Sequence, residues 1–339
     1  MTVLVIAIIL IALAYDFLNG MNDAANSIAT IVSTKVLTPF AAVAWAAFFN
    51  FAAIFIFGTH VADTIGKIVR PLADQGVTSE VAQLLVLCSL LGAIVWVFLC
   101  TQYGLPISVS HALIGGMLGP ALVEFGLYYQ GDIVFDSDKV IKIFLFIFLA
   151  PLIGMVVGYL IMVAVQWIFR RSNPFKVDQF FRVMQLVSSA AFSLGHGGND
   201  AQKVMGIITI LLFSTGTISE LAVPTWVMLL CYAAISLGTL LGGWKVIRTL
   251  GVNLTDLKPP GGFSAETAGA FTLFGTAFAG IPASTTHTVT GAIMGVGVTR
   301  GVNAVKWGTA KNILWAWVMT IPAAATMGAL SYYLLHLVY

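Results

Sequence analysis

The chain has 339 residues, of which 59% are hydrophobic and only 9% charged, and its mean hydropathy is +0.97. Soluble domains are about half apolar and about a quarter charged, so the composition excludes a soluble globular protein. Because the apolar runs are continuous rather than alternating, it also excludes a membrane β-barrel, and a net charge of +2 is too small to indicate a nucleic-acid partner. The sequence therefore predicts an all-α polytopic membrane protein.

Long apolar runs follow one another along the first half, and each reaches the length of about 20 residues that a membrane-spanning helix needs. The first run is too long for one straight crossing, and Gly20 lets the backbone leave the helix, so we expect a broken helix near 19–22. An interruption, GLPISVSH, predicts a re-entrant helical hairpin whose tip is 104–111, called the first tip below. The apolar runs are 1–34, 39–57, 81–126 and 140–169, with polar loops at 58–80 and 127–139.

The second half repeats this order. Asn22-Asp23 recurs as Asn199-Asp200, and a second interruption, GIPASTTH at 280–287, follows the first at almost the same offset. Two independent motifs at nearly one offset predict an internal duplication. We expect a first repeat at 1–169, a cytoplasmic linker at 170–177 and a second repeat at 178–339, with a broken helix near 195–199 and a second hairpin tip at 280–287. The apolar runs of this half are 180–213, 223–243, 264–298 and 313–339.

The basic residues predict the orientation in the membrane. Each half crosses an odd number of times, so the two repeats are inverted. If the basic loop at 170–176 is cytoplasmic, eleven of the sixteen Lys and Arg residues lie on or near the cytoplasmic side, as the positive-inside rule requires. We therefore expect a multi-pass protein of the plasma or inner membrane with both termini outside.

Asp23 and Asp200 are carboxylates inside apolar runs, where a charge is costly and usually marks function. The alternative is a pair of buried carboxylates that only cap helices, and duplication in inverted halves disfavours it. Transporters with broken helices bind their cargo where the repeats meet. Carboxylate and amide oxygens are hard ligands, so we expect Asp23 and Asp200, with Asn22, Asn26 and Asn199, to bind sodium.

The two tips carry short hydroxyls at predicted helix starts, where backbone amides and the helix dipole attract anions. The alternative is a plain loop between two full helices. Neutral donors on both sides suit a tetrahedral oxyanion. Lys203, which stands where the first half has Asn26, either extends to the membrane interface or supplies a positive charge. The predicted phosphate-binding residues are Ser108, Val109, Ser110, Ser284, Thr285, Thr286, Asn22, Asn199 and Lys203.

Two carboxylates would repel phosphate or sulfate unless cations lie between them and the anion. Sodium ions that bridge the carboxylates to the anion resolve this conflict and also explain coupling. A proton on a buried carboxylate is the rival. No organic cofactor is predicted.

With these motifs in view, the chain resembles the inorganic phosphate transporter (PiT) family, whose mark is a duplicated G-x-N-D-x-x-N element. It appears here as GMNDAAN at 20–26 and, less fully, as GGNDAQK at 197–203. The resemblance implies phosphate–cation symport, inverted repeats and a homodimer, although Lys203 departs from the pattern and some relatives are proposed to carry sulfate. The family's binding residues carry over to Asn22, Asp23, Asn199, Asp200, Ser108, Ser110, Ser284 and Thr286.

We therefore expect a secondary transporter, not an enzyme, that imports phosphate with sodium by alternating access around a mid-membrane site. Its partners would be phosphate, sodium, the lipid bilayer and a second copy of the chain. Proton-coupled phosphate or sulfate symport is the nearest alternative. In other classes, the alternatives are a membrane-embedded metal-dependent phosphoryl or prenyl transferase and an anion channel.

Overall fold

The computed structural model describes residues 2–73, 77–129, 132–251 and 253–337. The remaining residues, which belong to predicted runs and loops, lie outside this description. The described part of the first half begins with α1 (Val3–Ser33), α2 (Pro39–Ala52), α3 (His60–Gly66), α4 (Arg70–Ala73), α5 (Ser79–Tyr103) and α6 (Val109–Phe125). A short antiparallel hairpin, β1 (Tyr128–Tyr129) and β2 (Asp132–Ile133), leads to α7 (Ser137–Ile168).

Among the described residues of the second half, every regular element is a helix. Its helices are α8 (Pro174–Ser214), α9 (Thr225–Leu241), α10 (Trp244–Gly251), α11 (Pro259–Phe278), α12 (Thr285–Val298) and α13 (Trp307–His336). Short 3₁₀ turns follow α2 and precede α13.

Four described helices are each long and apolar enough to cross a membrane: α1, α5, α7 and α13. Two bent pairs pass the same test as broken spans. The segment Pro39–Phe55 meets α3 at 86°, and α9 meets α10 at 74°. The described residues thus hold four to six candidate spans, which confirms the predicted all-α polytopic membrane fold.

The breaks predicted near 19–22 and 195–199 are wrong, because α1 and α8 run through both positions without interruption. The glycines there allow close helix packing instead. A Cβ on Gly20 would lie 2.0 Å from the carbonyl oxygen of Ile235 in α9, and one on Gly197 would lie 2.4 Å from that of Asn50 in α2. The chain breaks instead after α2 and α9, where α3 and α10 turn away.

Both predicted interruptions are confirmed as helix–helix connections at 104–108 and 279–284. Gly104 and Gly280 adopt left-handed backbone conformations, with φ of +68° and +66°. Glycine takes this conformation without steric cost and commonly ends a helix there. Each tip is therefore a sharp turn between the end of one helix and the start of the next.

Several segments predicted as loops contain short helices. The loop 58–80 holds α3 and α4, and the segment between the runs 223–243 and 264–298 holds α10. Helix α8 already begins inside the predicted linker 170–177. The start of α8 has a local cause, since the Asn173 side chain accepts a hydrogen bond from the Phe175 amide and Pro174 occupies the first turn. Proline is favoured there because it has no amide proton to satisfy.

The tip helices α6 and α12 pack closely along α13 and α7. A Cβ on Gly119 of α6 would lie 2.0 Å from the carbonyl oxygen of Ala325 in α13, and one on Gly295 of α12 would lie 2.0 Å from that of Met155 in α7. The two glycines hold matching places in the sequence relative to the tips that precede them. Small residues permit such close approach between membrane helices, so each tip is backed by a long helix of the other half.

We expect Gly20→Ala to destabilise the protein, because its Cβ would overlap the backbone of α9. Overpacking of this kind costs about 1–3 kcal/mol, and thermal unfolding of the detergent-solubilised protein measures it. Gly275→Ala in α11 is the matched control, since no atom lies within 4 Å of its added Cβ. Equal unfolding temperatures for the two variants would contradict the packing role of Gly20.

Candidate functional site

The carboxylates of the two repeated elements converge at the centre of the fold. The hydroxyl of Thr285, at the start of α12, lies 3.1 Å from Oδ2 of Asp23 and 3.3 Å from Oδ2 of Asp200. All three side chains are buried. The structure thus brings α1, α8 and the second tip together at one point, as the sequence predicts.

His196 also belongs to this cluster, although the sequence alone gave it no definite role. Its Nε2 lies 3.6 Å from Asp200 and 4.0 Å from Asp23, and its Nδ1 lies 3.0 Å from Oδ1 of Asn50. One ligand atom from each of Asp23, His196 and Asp200 lies within 4.8 Å of the others. The first half has Asn19 at the matching position, so duplication did not reveal the histidine.

The two tips contact each other beside the carboxylates. Asn26 donates hydrogen bonds to the hydroxyls of Thr285 (3.3 Å) and Thr286 (2.9 Å). The Thr286 hydroxyl in turn lies 3.4 Å from Asp23 and 2.9 Å from the carbonyl oxygen of Ile107 in the first tip. Side chains and backbone from both halves therefore form one polar cluster.

The first turns of α6 and α12 lie beside this region, where their Ser110 and Thr285 hydroxyls make hydrogen bonds. Val109 and Ser110 begin α6, as Thr285 and Thr286 begin α12, and first-turn amides have no partner within their own helix. Because α1 and α8 are continuous through 19–22 and 195–199, the helix starts that reach this cluster are those of the two tips.

The first serine of each tip is an N-cap. The Ser108 side chain accepts a hydrogen bond from the His111 amide, and that of Ser284 accepts one from the His287 amide. These caps fix the first turn of each tip helix and so position its amides.

Lys203 is buried, with 2% of its surface exposed, and does not extend to the membrane interface. Its ammonium donates hydrogen bonds to Asp200, to the hydroxyl of Ser110 in the first tip, and to the carbonyl oxygen of Ala283 in the second tip, the last at 3.0 Å. It therefore makes the two carboxylates inequivalent, since Asp200 is paired with a lysine and Asp23 with threonines.

The repeated asparagines make matching contacts in the two halves. Asn22 donates to the Thr101 hydroxyl of α5 at 2.6 Å, and Asn199 donates to the Thr276 hydroxyl of α11 at 3.2 Å. Their Oδ1 atoms, and that of Asn26, are buried without a hydrogen-bond partner among the described residues. Such oxygens suit a hard monovalent cation, so this donor set fits sodium.

Glu266 in α11 is a buried polar residue that the sequence did not single out. It accepts hydrogen bonds from Thr30 (2.6 Å), Gln185 (2.9 Å) and Ser188 (2.5 Å), which ties α1, α8 and α11 together. A carboxylate inside the apolar run 264–298 was the available signal. It was missed because the first repeat has Leu90 at the matching position.

Comparison with known proteins identifies the family of the chain. Residues 19–328 match the model of the phosphate transporter family. The chain belongs to the phosphate transporter family. A Rhizobium meliloti (strain 1021) protein named "probable low-affinity inorganic phosphate transporter" is 52% identical over 336 residues, covering 99% of this chain and 97% of the relative. A Bacillus subtilis (strain 168) protein of the same name is 43% identical, covering 99% and 98%.

A solved structure described as "The sodium-dependent phosphate transporter" has the same fold, with a TM-score of 0.89, 26% identity and full coverage of both chains. The family resemblance drawn from the duplicated element is therefore confirmed. Because the relatives are named as transporters, the prediction of a transporter rather than an enzyme is also confirmed. The names give no support to the transferase alternative.

Proposed function

We propose that the chain imports inorganic phosphate by symport with sodium ions. The observation that carries the proposal is the position of the Thr285 hydroxyl, within hydrogen-bonding distance of carboxylates from both halves. An anion-binding helix start thus lies directly beside two candidate cation ligands. The names of the relatives support phosphate as the cargo, and the name of the structural neighbour supports sodium as the coupling ion.

The charges of the site require cations. Two carboxylates face a single lysine, so a phosphate dianion alone would add repulsion. Two sodium ions would neutralise HPO₄²⁻ and lower the cost of moving it through an apolar protein. In this proposal sodium binds Asp23, Asp200, Asn22, Asn26 and Asn199. Phosphate binds Ser108, Val109, Ser110, Ser284, Thr285, Thr286 and Lys203, with the amide groups of Asn22 and Asn199 at its edge.

Alternating access would follow from inverted repeats at 1–169 and 178–339, joined by the linker 170–177. In support, α12 and α7 are parallel, because Gly291 contacts Pro151 and Gly295, one turn later, contacts Met155. Helices α6 and α13 are parallel by the same kind of contact. Because α13 starts shortly after α12 ends, α6 and α12 run in opposite directions. Inverted halves can exchange conformations to open either side.

The proposal also covers the oligomeric state of the protein and its orientation in the membrane. We infer a homodimer in the plasma or inner membrane with both termini outside, as the basic loops and the family resemblance imply.

Uptake of labelled phosphate into proteoliposomes tests the function, with sodium and pH gradients imposed separately. We expect an inward sodium gradient to drive accumulation and a pH gradient alone to drive little. Labelled sulfate in place of phosphate tests the cargo. Accumulation driven by the pH gradient alone would overturn sodium coupling, and uptake that equilibrates without any cation gradient would indicate a channel.

A further inference from the structure

Each tip is also hydrogen-bonded to a short helix of the other half. The Thr64 hydroxyl in α3 donates to the carbonyl oxygen of Gly280 in the second tip, at 2.7 Å. The Thr249 hydroxyl in α10 donates to the carbonyl oxygen of Gly104 in the first tip, at 2.9 Å. In each case the donor lies on the short helix that ends a bent span.

The two contacts occupy equivalent positions on their short helices. Thr64 lies four residues after His60 on α3, and Thr249 lies four residues after Lys245 on α10. A Cβ on Gly280 would lie 3.2 Å from the His60 carbonyl oxygen, and one on Gly104 would lie 3.0 Å from Cβ of Lys245. Each short helix thus holds a tip of the other half at the same left-handed glycine.

Each tip also bonds to the central cluster shortly after its glycine. Thr286 donates to the carbonyl oxygen of Ile107 and Lys203 to that of Ala283. Each tip is therefore hydrogen-bonded at both ends of a four-residue segment, 104–107 or 280–283. A threonine of a short helix binds one end, and a side chain of the central cluster binds the other.

A cavity lies against each tip on the side of its threonine. The cavity at the first tip has a volume of about 340 Å³ and includes Gly104, Thr249 and Lys306 in its lining. The cavity at the second tip has about 370 Å³ and includes Thr64, Lys139 and Gly280. Lys306 precedes α13 and Lys139 begins α7. Helix α7 runs parallel to α12, so Lys139 and the second cavity lie toward the start of α12. Lys306 lies between α12 and α13, so the first cavity lies toward the end of α12. The two cavities therefore open at opposite ends of α12.

We propose that Thr64 and Thr249 are the latches of two gates, one on each side of the membrane. Release of the Thr249 hydrogen bond lets the first tip move and connects its cavity to the central site, and release of the Thr64 bond does the same on the opposite side. In the present structure both latches are closed. The inference rests on the proposed transport function, because it assigns these residues the gating step of that cycle.

The test measures access to a reporter cysteine behind each gate, without any sodium or phosphate gradient. Ile107→Cys reports on the first tip and Ala283→Cys on the second, in sealed vesicles of known orientation treated with a membrane-impermeant thiol reagent. Parent vesicles correct for Cys88, Cys100 and Cys231, all of which are buried. Thr64→Val and Thr249→Val remove one hydroxyl at nearly constant volume, while Thr64→Ser and Thr249→Ser retain it.

We expect Thr249→Val to raise the modification rate of Ile107→Cys about fivefold when the reagent is on the side of the membrane where Lys245 lies. A fivefold change corresponds to about 1 kcal/mol, the contribution of one hydrogen bond. The Ala283→Cys rate from the other side should stay unchanged. Thr64→Val should give the mirror result, and both serine variants should match the parent. Equal changes at both reporters, or none, would overturn the latches. Normal latch behaviour in a protein without sodium-driven phosphate uptake would instead count against the proposed function.

Discussion

Asp23→Asn and Asp200→Asn are each expected to reduce sodium-driven phosphate uptake by about a hundredfold. Each change removes a buried negative charge while keeping the side-chain shape. A cation held by that carboxylate would lose an interaction on the order of 3 kcal/mol, which is about a hundredfold in affinity. The half-saturating sodium concentration should therefore rise in both variants.

The measurement is initial uptake in proteoliposomes at several sodium concentrations. Asp178→Asn is the matched control, because Asp178 pairs with Arg182 at the protein surface and 38% of its side chain is exposed. This variant should transport like the parent. Near-normal sodium-driven uptake by both Asp23→Asn and Asp200→Asn would remove the cation assignment, although phosphate could still bind at the tips.

Lys203→Met is expected to destabilise the protein by about 3–5 kcal/mol, because it leaves the buried Asp200 carboxylate without its charged partner. It also removes the donor shared by Ser110 and Ala283, and so loosens the contact between the two tips. Sodium should raise the unfolding temperature of this variant more than that of the parent, since a bound monovalent cation can replace the ammonium charge and stabilises the folded state by mass action.

Thermal unfolding in detergent, with sodium or a large organic cation at equal ionic strength, checks this prediction. Lys176→Met is the control because Lys176 is exposed in the first turn of α8. If Lys203→Met unfolded at the temperature of the parent with the same sodium response, Lys203 would have no part in balancing the charge of the site.

Much of the fold follows directly from sequence patterns. Continuous apolar runs predicted the membrane helices, and the Gly-x-Pro interruptions predicted both tips. The repeat of Asn22-Asp23 as Asn199-Asp200 predicted two carboxylates at one centre, since a buried charge needs compensating partners. Their common contact with Thr285 bears out that convergence.

Where the backbone breaks was not predictable from local sequence. The local sequence around Gly20 does not show whether the glycine ends a helix or allows a neighbouring helix to approach closely. The contact with Ile235, which belongs to the other half of the chain, selects the second role. Conversely, α3 and α10 lie in segments with the composition of loops, and they form where they pack against a tip of the other half.

Composition and the duplicated elements by themselves determined the membrane class, the helical architecture and the residue types of the site, because apolar length and the cost of a buried charge act locally along the chain. Only the tertiary structure decided which residues meet. The contacts of His196 with Asp23, of Glu266 with Thr30, and of Thr64 and Thr249 with the tips all join one half of the chain to the other. Such contacts depend on how the two halves pack across each other, which no spacing within one half encodes.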